Sequence, residues 1–192
     1  MSLRYGMTRR TGNKTSLPKV SFTKNDRVIS VDMDGTIADI SKRIKYASSF
    51  APNGSPEFYA VLLNGEHYTM DIPIVAAREF LNSYVTQSGG KIVYLSGRRQ
   101  GTESQSEAWL NTHGFPPGMI IHRRTGHRSL DFKVDWLRSL KQHTSVQAHF
   151  GDRLEDDGGA ARSAGLRFIH IKDHVWPSTE EILSSLSAFS NS

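Results

Sequence analysis

Val-Asp-Met-Asp-Gly-Thr, residues 31–36, is the stretch that decides the fold, and it follows directly on an apolar run that begins at Arg27. Two carboxylates at alternate positions, Asp32 and Asp34, face the same way in an extended chain, and Gly35 then allows the backbone to turn. Aspartates this close repel each other, so the arrangement calls for a cation, a shared proton or a reaction that uses both protonation states. A divalent metal ion is the simplest answer.

Short apolar runs alternate with amphipathic stretches along the rest of the chain. This alternation is typical of βα units built around a mostly parallel sheet. The predicted strands are RVISVD (27–32), KIVYL (91–95), GMIIH (118–122), VQAHF (146–150) and RFIHI (167–171). Apolar residues at helical spacing predict five helices, which are 74–84, 103–113, 130–140, 156–164 and 178–189. The sequence therefore predicts an α/β fold with a five-stranded sheet.

A second acidic stretch, Gly-Asp-Arg-Leu-Glu-Asp-Asp at 151–157, also follows a predicted strand. If it opens a helix, Asp152 and Asp156 lie on one helix face at the same sheet edge as the first two aspartates. Four carboxylates would then converge. Hard oxygen ligands of this kind suit Mg²⁺ better than zinc.

Two further polar groups are expected at this edge of the sheet. Ser96, in Leu-Ser-Gly-Arg at 95–98, follows the KIVYL strand and could donate a hydrogen bond to a phosphate oxygen. Lys133, near the start of a predicted helix, would supply a compact positive charge to a transferring phosphoryl group.

These four motifs, in this order, resemble those of the haloacid dehalogenase superfamily. The resemblance spans roughly residues 28–172 and implies a three-layer, Rossmann-like fold with a small cap insertion. It also implies a phosphatase, in which Asp32 attacks phosphorus and Asp34 first protonates the leaving oxygen and then deprotonates water. The resemblance implies further that Ser96 and Lys133 complete the catalytic set.

The same resemblance implies where Mg²⁺ is held. The ligands would be the Asp32 carboxylate, the backbone carbonyl of Asp34 and Asp152. Asp156 would orient metal-bound water or Lys133, and Asp157 is the alternative for that role.

Within the superfamily, the sequence is most similar to the 3′-phosphatase domains of polynucleotide kinase-phosphatases. The similarity rests on features such as Ala38-Asp39 with Arg43, SGRRQGT at 96–102 and the arginine-rich loop 122–128. That loop could clamp a second phosphate or a nucleic-acid backbone, or it could be an exposed solubilising loop. The predicted substrate-binding residues are Thr36, Arg43, Gly97, Arg98, Arg123, Arg124 and Arg128.

Residues 41–72 interrupt the βα pattern with several prolines and a short apolar run. An insertion here would lie over the sheet edge that binds ligands, and it would act as a lid or a substrate selector. Residues 1–26 read as a flexible basic leader that either touches phosphate groups or is a bystander, and 27–192 form the predicted phosphatase domain.

Composition excludes several classes of protein. The 192 residues contain no cysteine, which excludes disulfides, thiolate metal sites and a cysteine nucleophile. No apolar run is long enough to cross a bilayer, so we expect a soluble, cytoplasmic protein without a membrane partner.

The leading prediction is a Mg²⁺-dependent phosphatase acting on polynucleotide 3′-phosphates or nucleotides. The alternatives are a small-metabolite phosphatase and a non-catalytic nucleic-acid-binding module, and the oligomeric state is left open.

Overall fold

The computed structural model of the protein describes residues 22–188. Its centre is a five-stranded parallel sheet in the order β5-β4-β1-β6-β7, and a two-stranded antiparallel ribbon, β2-β3, lies beside it. The strands are β1 Arg27–Val31, β2 Ala38–Asp39, β3 Ile72–Pro73, β4 Lys91–Arg99, β5 Met119–Arg123, β6 Ser145–Gly151 and β7 Phe168–His170. The five strands predicted from the sequence are the five strands of the parallel sheet.

Helices cover both faces of this sheet. They are α1 Ser41–Ser48, α2 Pro56–Leu62, a 3₁₀-helix Gly65–Met70, α3 Val75–Ser88, α4 Glu103–Thr112, α5 Ser129–His143, a π-helix Leu154–Gly158, α6 Gly159–Ala164 and α7 Thr179–Ala188. Glycines in the left-handed region end two of them, Gly89 at φ 62° after α3 and Gly165 at φ 63° after α6.

Side chains of successive strand residues enter two separate cores. On one face Ile29 packs with apolar residues from α3, α4 and α7, while on the other face Val28 packs with residues from α5 and α6. This alternation is the period-two pattern of a strand that is buried on both sides. The result is the predicted three-layer α/β architecture.

The predicted insertion, 41–72, contains α1, α2 and the 3₁₀-helix. Its apolar side chains form a small core of their own, in which Ala47, Ala51, Phe58 and Leu62 are buried. Asp39 and Ile72 pair in the β2-β3 ribbon at the base of the insertion, so the two ends of the insertion lie side by side.

Most of the predicted basic leader, residues 1–21, lies outside the described residues. Its last part is packed on the domain, because Phe22 is only 5% exposed and joins the core under α5. Asp26 also pairs with Lys91 at 2.9 Å. The packed domain therefore includes residues that were assigned to the leader. Among residues 22–188, none of the helices has the length and apolarity needed to span a membrane.

Candidate active site

Four charged side chains meet at the carboxyl ends of β1 and β6, which are neighbouring strands of the sheet. We call this group the acid cluster, and its members are Asp32, Lys133, Asp152 and Asp157. One carboxylate oxygen from each aspartate lies within 4.8 Å of the others. The Lys133 ammonium contacts Asp157 and lies 3.2 Å from Asp32 Oδ1. Distant stretches of chain thus bring three acids and one base together, as expected at the edge of a parallel sheet.

The acid cluster carries more negative than positive charge, because one ammonium group faces three carboxylates. Burial, together with the charges of Asp157 and Asp152, raises the pKa of Asp32 well above its usual value even though Lys133 opposes the rise. Burial and Asp157 likewise raise the pKa of Asp152. Asp157 differs: burial works against it, but its contacts with Lys133 hold its pKa well below the ordinary value. Asp32 and Asp157 therefore share the single ammonium of Lys133, and Asp152 has no ion pair with any described residue.

Unsatisfied oxygens in the acid cluster test whether it fits a metal ion. Asp32 Oδ1 and Asp152 Oδ1 are buried without a hydrogen bond from any described residue, although Lys133 Nζ lies 3.2 Å from Asp32 Oδ1 as an ion pair. Buried carboxylate oxygens without donors are costly unless a cation binds them. An all-oxygen ligand set with excess negative charge is what Mg²⁺ requires, so these residues fit the predicted ion.

Two glycines make room for these carboxylates. Gly35 has φ +80°, and a β-carbon at this position would clash with the carboxylate of Asp152. A β-carbon on Gly151 would clash with Asp157 in the same way. Gly35 therefore allows the turn after β1 to approach Asp152, and Gly151 allows Asp157 to fold back against the end of β6.

The sequence favours Asp156 over Asp157 as the acid that orients metal-bound water or Lys133, and the structure instead brings the alternative, Asp157, into contact with Lys133. Asp156 instead pairs with Arg153 at 3.2 Å on the protein surface. The reason is the π-helix, since the Gly158 amide bonds the Arg153 carbonyl five residues back. A π-turn holds one more residue than an α-turn, so it turns Asp157 inward and leaves Asp156 outside.

His149 is a member of the site region that the sequence analysis did not identify. It is fully buried on β6, with Nε2 3.1 Å from Asp157 Oδ1 and Nδ1 3.1 Å from Ser30 Oγ. Burial lowers the pKa of His149, which favours the neutral ring. A lone histidine in an apolar strand gives no signal of this contact, because its partner is set by the π-turn.

A second group of four charged side chains lies between the core and the insertion. We call it the arginine cluster, and its members are Asp34, Arg43, Asp71 and Arg98. Arg43 Nη2 and Arg98 Nε each lie 2.8 Å from Asp34 Oδ1. The same arginines contact Asp71, at 2.8 Å from Arg43 Nε and 2.7 Å from Arg98 Nη2. Two guanidinium groups therefore balance two carboxylates.

Electrostatics keeps Asp34 ionised in this arrangement. Burial opposes the charged form, but Arg98 and Arg43 lower the pKa of Asp34 well below its usual range. Burial raises the pKa of Asp71 to about 6 against the pull of the same two arginines.

Arg43 and Arg98 were predicted to bind substrate, and the structure places them elsewhere. Both are fully buried, and their guanidinium groups are occupied by Asp34 and Asp71. The aspartates of the first motif also diverge, since Asp32 enters the acid cluster and the Asp34 side chain enters the arginine cluster. The backbone carbonyl of Asp34 as a metal ligand, which the resemblance implies, stays a prediction.

Three other predicted site residues belong to elements next to the acid cluster. Ser96 and Gly97 lie in β4, and Thr36 follows β1. Ser96 is buried near the end of β4, where its hydroxyl oxygen accepts a bond from the Arg98 amide at 3.3 Å. The Thr36 hydroxyl is buried without a hydrogen bond to any described residue. The Gly97 carbonyl accepts a bond from Arg123 Nε at 3.3 Å. The two hydroxyl protons of Ser96 and Thr36 are compatible with phosphate binding, which stays a prediction.

The arginine-rich loop lies between β5 and α5, above the same edge of the sheet. Arg123 is half-buried and donates to the His127 carbonyl at 2.6 Å, while Arg124 and Arg128 are exposed. Arg128 directly precedes α5, the helix that carries Lys133 in its second turn. The loop is therefore close in the chain to the acid cluster, and its role in substrate binding stays a prediction.

Comparison with solved structures places the fold among hydrolases. A structure of a Pnkp1/Rnl/Hen1 complex is similar with a TM-score of 0.59 and 18% identity, over 85% of this chain and 52% of that chain. The class C acid phosphatase from Bacillus anthracis matches with a TM-score of 0.55 and 18% identity, over 87% and 80%. A haloacid dehalogenase superfamily hydrolase from Geobacter sulfurreducens matches with a TM-score of 0.54 and 15% identity, over 85% and 99%. The chain spans about half the length of the Pnkp1 chain that it matches.

Sequence comparison adds one family. None of the curated proteins matches the chain. A family model described as "PITM 1-3, LNS2 domain" matches residues 65–171, which is more than half of the chain and includes Ser96, Lys133, Asp152 and Asp157. The protein therefore has the fold of the haloacid dehalogenase superfamily, and it belongs to the LNS2 domain family of PITM 1-3.

Proposed function

We propose that the protein is a Mg²⁺-dependent phosphomonoester hydrolase that acts through an aspartyl-phosphate on Asp32. The observation that carries this proposal is the acid cluster, in which buried Asp32 and Asp152 have oxygens without a donor beside the Lys133 ammonium. The match to hydrolase folds supports phosphoester hydrolysis in general terms. When bound, Mg²⁺ would be held by Asp32, Asp152 and the Asp34 carbonyl, with Asp157 at hand, and it would stabilise charge on the phosphoryl oxygens.

The chain's own residues then divide the chemistry between them. An oxygen of Asp32 attacks phosphorus, the bond from phosphorus to the leaving oxygen breaks, and Lys133 offsets the charge of the phosphoryl group. Asp34 gives a proton to the leaving oxygen and later takes one from the water that hydrolyses the intermediate. The two arginines favour the ionised form of Asp34, which is the form that accepts the proton from water in the second step. For the first step Asp34 takes up a proton from solvent, because the approaching anionic phosphate raises its pKa.

Polynucleotide 3′-phosphates or nucleotides are the substrates that we propose. The support is the arginine-rich loop, whose exposed Arg124 and Arg128 lie at the sheet edge that holds the acid cluster, and the likeness of the fold to a Pnkp1 complex. Guanidinium groups suit phosphate oxygens because they donate in pairs. We also propose a cytoplasmic location, which the absence of cysteine permits.

The activity is tested by phosphate release from 4-nitrophenyl phosphate with and without Mg²⁺. We expect turnover only with the metal ion, and a loss of at least about 10⁴-fold in Asp32→Asn. Asp156→Asn is the matched control, because this neighbouring acid is paired on the surface, and it should retain activity. Turnover that survives in Asp32→Asn, or no turnover at all, would contradict the proposal.

The substrate class needs a separate comparison. Oligonucleotides with a 3′-phosphate, nucleoside monophosphates and sugar phosphates should be compared by kcat/KM. A preference for the first two groups supports the proposal, while a preference for sugar phosphates identifies a metabolite phosphatase. Binding of oligonucleotides without any phosphate release would instead indicate a non-catalytic module.

A further inference from the structure

We infer that Asp71 is a positioning residue for the proposed acid-base group, and that it acts by aiming Arg43 and Arg98 at a single oxygen of Asp34. This inference rests on the proposed function. Asp71 belongs to the insertion, whereas Asp34 follows β1. No hydrogen bond joins the two carboxylates, and both contact the same two guanidinium groups, so Asp71 can orient Asp34 through them.

The contacts in the arginine cluster are directional. Arg43 reaches Asp71 with Nε at 2.8 Å and with Nη2 at 3.1 Å, and the same Nη2 lies 2.8 Å from Asp34 Oδ1. Arg98 Nη2 lies 2.7 Å from both Asp71 Oδ2 and Asp34 Oδ1. Each guanidinium is thus held between two carboxylates, which fixes its plane as well as its position.

All of these contacts on Asp34 go to one oxygen. Among residues 22–188, Oδ1 receives both arginines and no hydrogen bond reaches Oδ2. The Asp34 side chain is also 21% exposed, so the second oxygen is the one that can meet a leaving group. Fixing one oxygen orients the other, and proton transfer is sensitive to that orientation.

Further contacts anchor the arginines and Asp71. Arg98 Nη1 donates to Ser106 Oγ at 2.9 Å. The Tyr68 ring lies 4.0 Å from the Arg98 guanidinium carbon and 4.8 Å from that of Arg43. The indole of Trp109 donates to the Asp71 carbonyl at 3.1 Å, which ties the backbone of Asp71 to α4.

Charge balance explains why Asp71 is needed. Without it, two fully buried guanidinium groups would share one carboxylate, and an uncompensated positive charge would remain in the interior. The arginines would then turn toward other acceptors or admit water. Asp34 would lose the fixed direction of its second oxygen, although its chain position would be unchanged.

The expected effect depends on the leaving group. An alkoxide is a poor leaving group and needs the proton, whereas 4-nitrophenolate leaves without it. In Asp71→Asn we therefore expect kcat/KM, which reports the formation of the aspartyl-phosphate and not its hydrolysis, to fall about 100-fold for an alkyl phosphate such as glycerol 3-phosphate and less than about threefold for 4-nitrophenyl phosphate.

The experiment compares both substrates in four proteins. Leu137→Ala, a buried change in α5 on the other face of the sheet, controls for lost stability and should lower both rates equally or not at all. Ser106→Ala, which removes one Arg98 contact but leaves all four charges, should show the same selectivity at about fivefold, and it decides the question if Asp71→Asn does not fold.

The outcomes separate this inference from the proposed function. A wild-type protein that hydrolyses neither substrate overturns both. A wild-type protein that hydrolyses them, with variants that lose both rates in equal proportion or lose neither, overturns the role of Asp71 alone. Selective loss on the alkyl phosphate in Asp71→Asn or Ser106→Ala supports it.

Discussion

The acid cluster and the arginine cluster lie at the same end of the sheet and share the first motif, yet they differ in charge balance. The acid cluster sets three carboxylates against Lys133, while the arginine cluster sets two carboxylates against two guanidinium groups. The first carries an excess of negative charge, and the charges of the second balance. Two aspartates only two residues apart thus enter surroundings of different charge balance, Asp32 the acid cluster and Asp34 the arginine cluster.

The largest effect that would test this comparison is the loss of one guanidinium. Arg43→Met leaves the Asp34 and Asp71 carboxylates with Arg98 alone, and breaking a buried pair of this kind costs about 3–5 kcal/mol. Urea unfolding measures the loss. Lys42→Met, an exposed neighbour on α1, should change the free energy of unfolding by less than about 0.5 kcal/mol. An equal loss of unfolding free energy in the two variants would contradict the view that the arginine cluster is a buried, internally paired group.

The next effect concerns the acid cluster and its cation. Mg²⁺ at about 100 times its dissociation constant should raise the free energy of unfolding by about 2.7 kcal/mol, because only the folded chain brings the carboxylates together. Thermal unfolding with and without the ion detects this gain. Asp152→Asn should abolish most of it and Asp156→Asn should keep it. If Mg²⁺ stabilises neither the wild type nor the control, the acid cluster is not a metal site.

A smaller effect is the pH dependence of the free energy of unfolding that His122 causes. This histidine is close enough to Arg98 of the arginine cluster to feel its charge. Burial, with the charge of Arg98, lowers its pKa to about 4. Its folded pKa is below the unfolded value of about 6.5, so the unfolded chain binds the extra proton and stability falls as the pH drops between these values.

We expect His122 to account for about 2 kcal/mol of stability lost between pH 6.5 and 4.5. His122→Asn keeps a donor toward Thr102, which lies 3.1 Å from Nδ1, but cannot titrate. The difference between the two unfolding curves against pH isolates this residue. Parallel curves would show that His122 is not the source.

The smallest effect is also the one most specific to the acid cluster. In the absence of metal, Asp152→Asn should raise the free energy of unfolding by about 1 kcal/mol, because it removes a carboxylate whose ionised form is opposed by burial and by Asp157. The same replacement at Asp71 should be destabilising. Opposite signs in urea unfolding would sharpen the comparison, and equal signs would contradict it.

The sheet was predictable because its signals are local. Each of the five strands is a short apolar run, and glycines such as Gly89 and Gly165 end helices that the periodicity had indicated. Asp32, Lys133 and Asp152 could also be assigned, since residues that follow parallel strands or open the next helix converge at one edge.

Other parts of the site depend on contacts that no local pattern encodes. An arginine shortly after a phosphatase-like motif suggests phosphate binding, and only the fold reveals that Arg43 meets Asp71, which is 28 residues away. Asp71 itself lies in an irregular segment without periodicity. The choice between Asp156 and Asp157 depended on the type of helical turn, and the acidic run reads equally well in either register.

The π-helix at Leu154–Gly158 has a consequence for how this chain can vary. A π-turn differs from an α-turn by one residue, so deletion of one residue between Asp152 and Asp157 would tighten the loop to an ordinary turn while β6 and α6 kept their places. We therefore expect a one-residue deletion in this turn to keep the inward-facing acid.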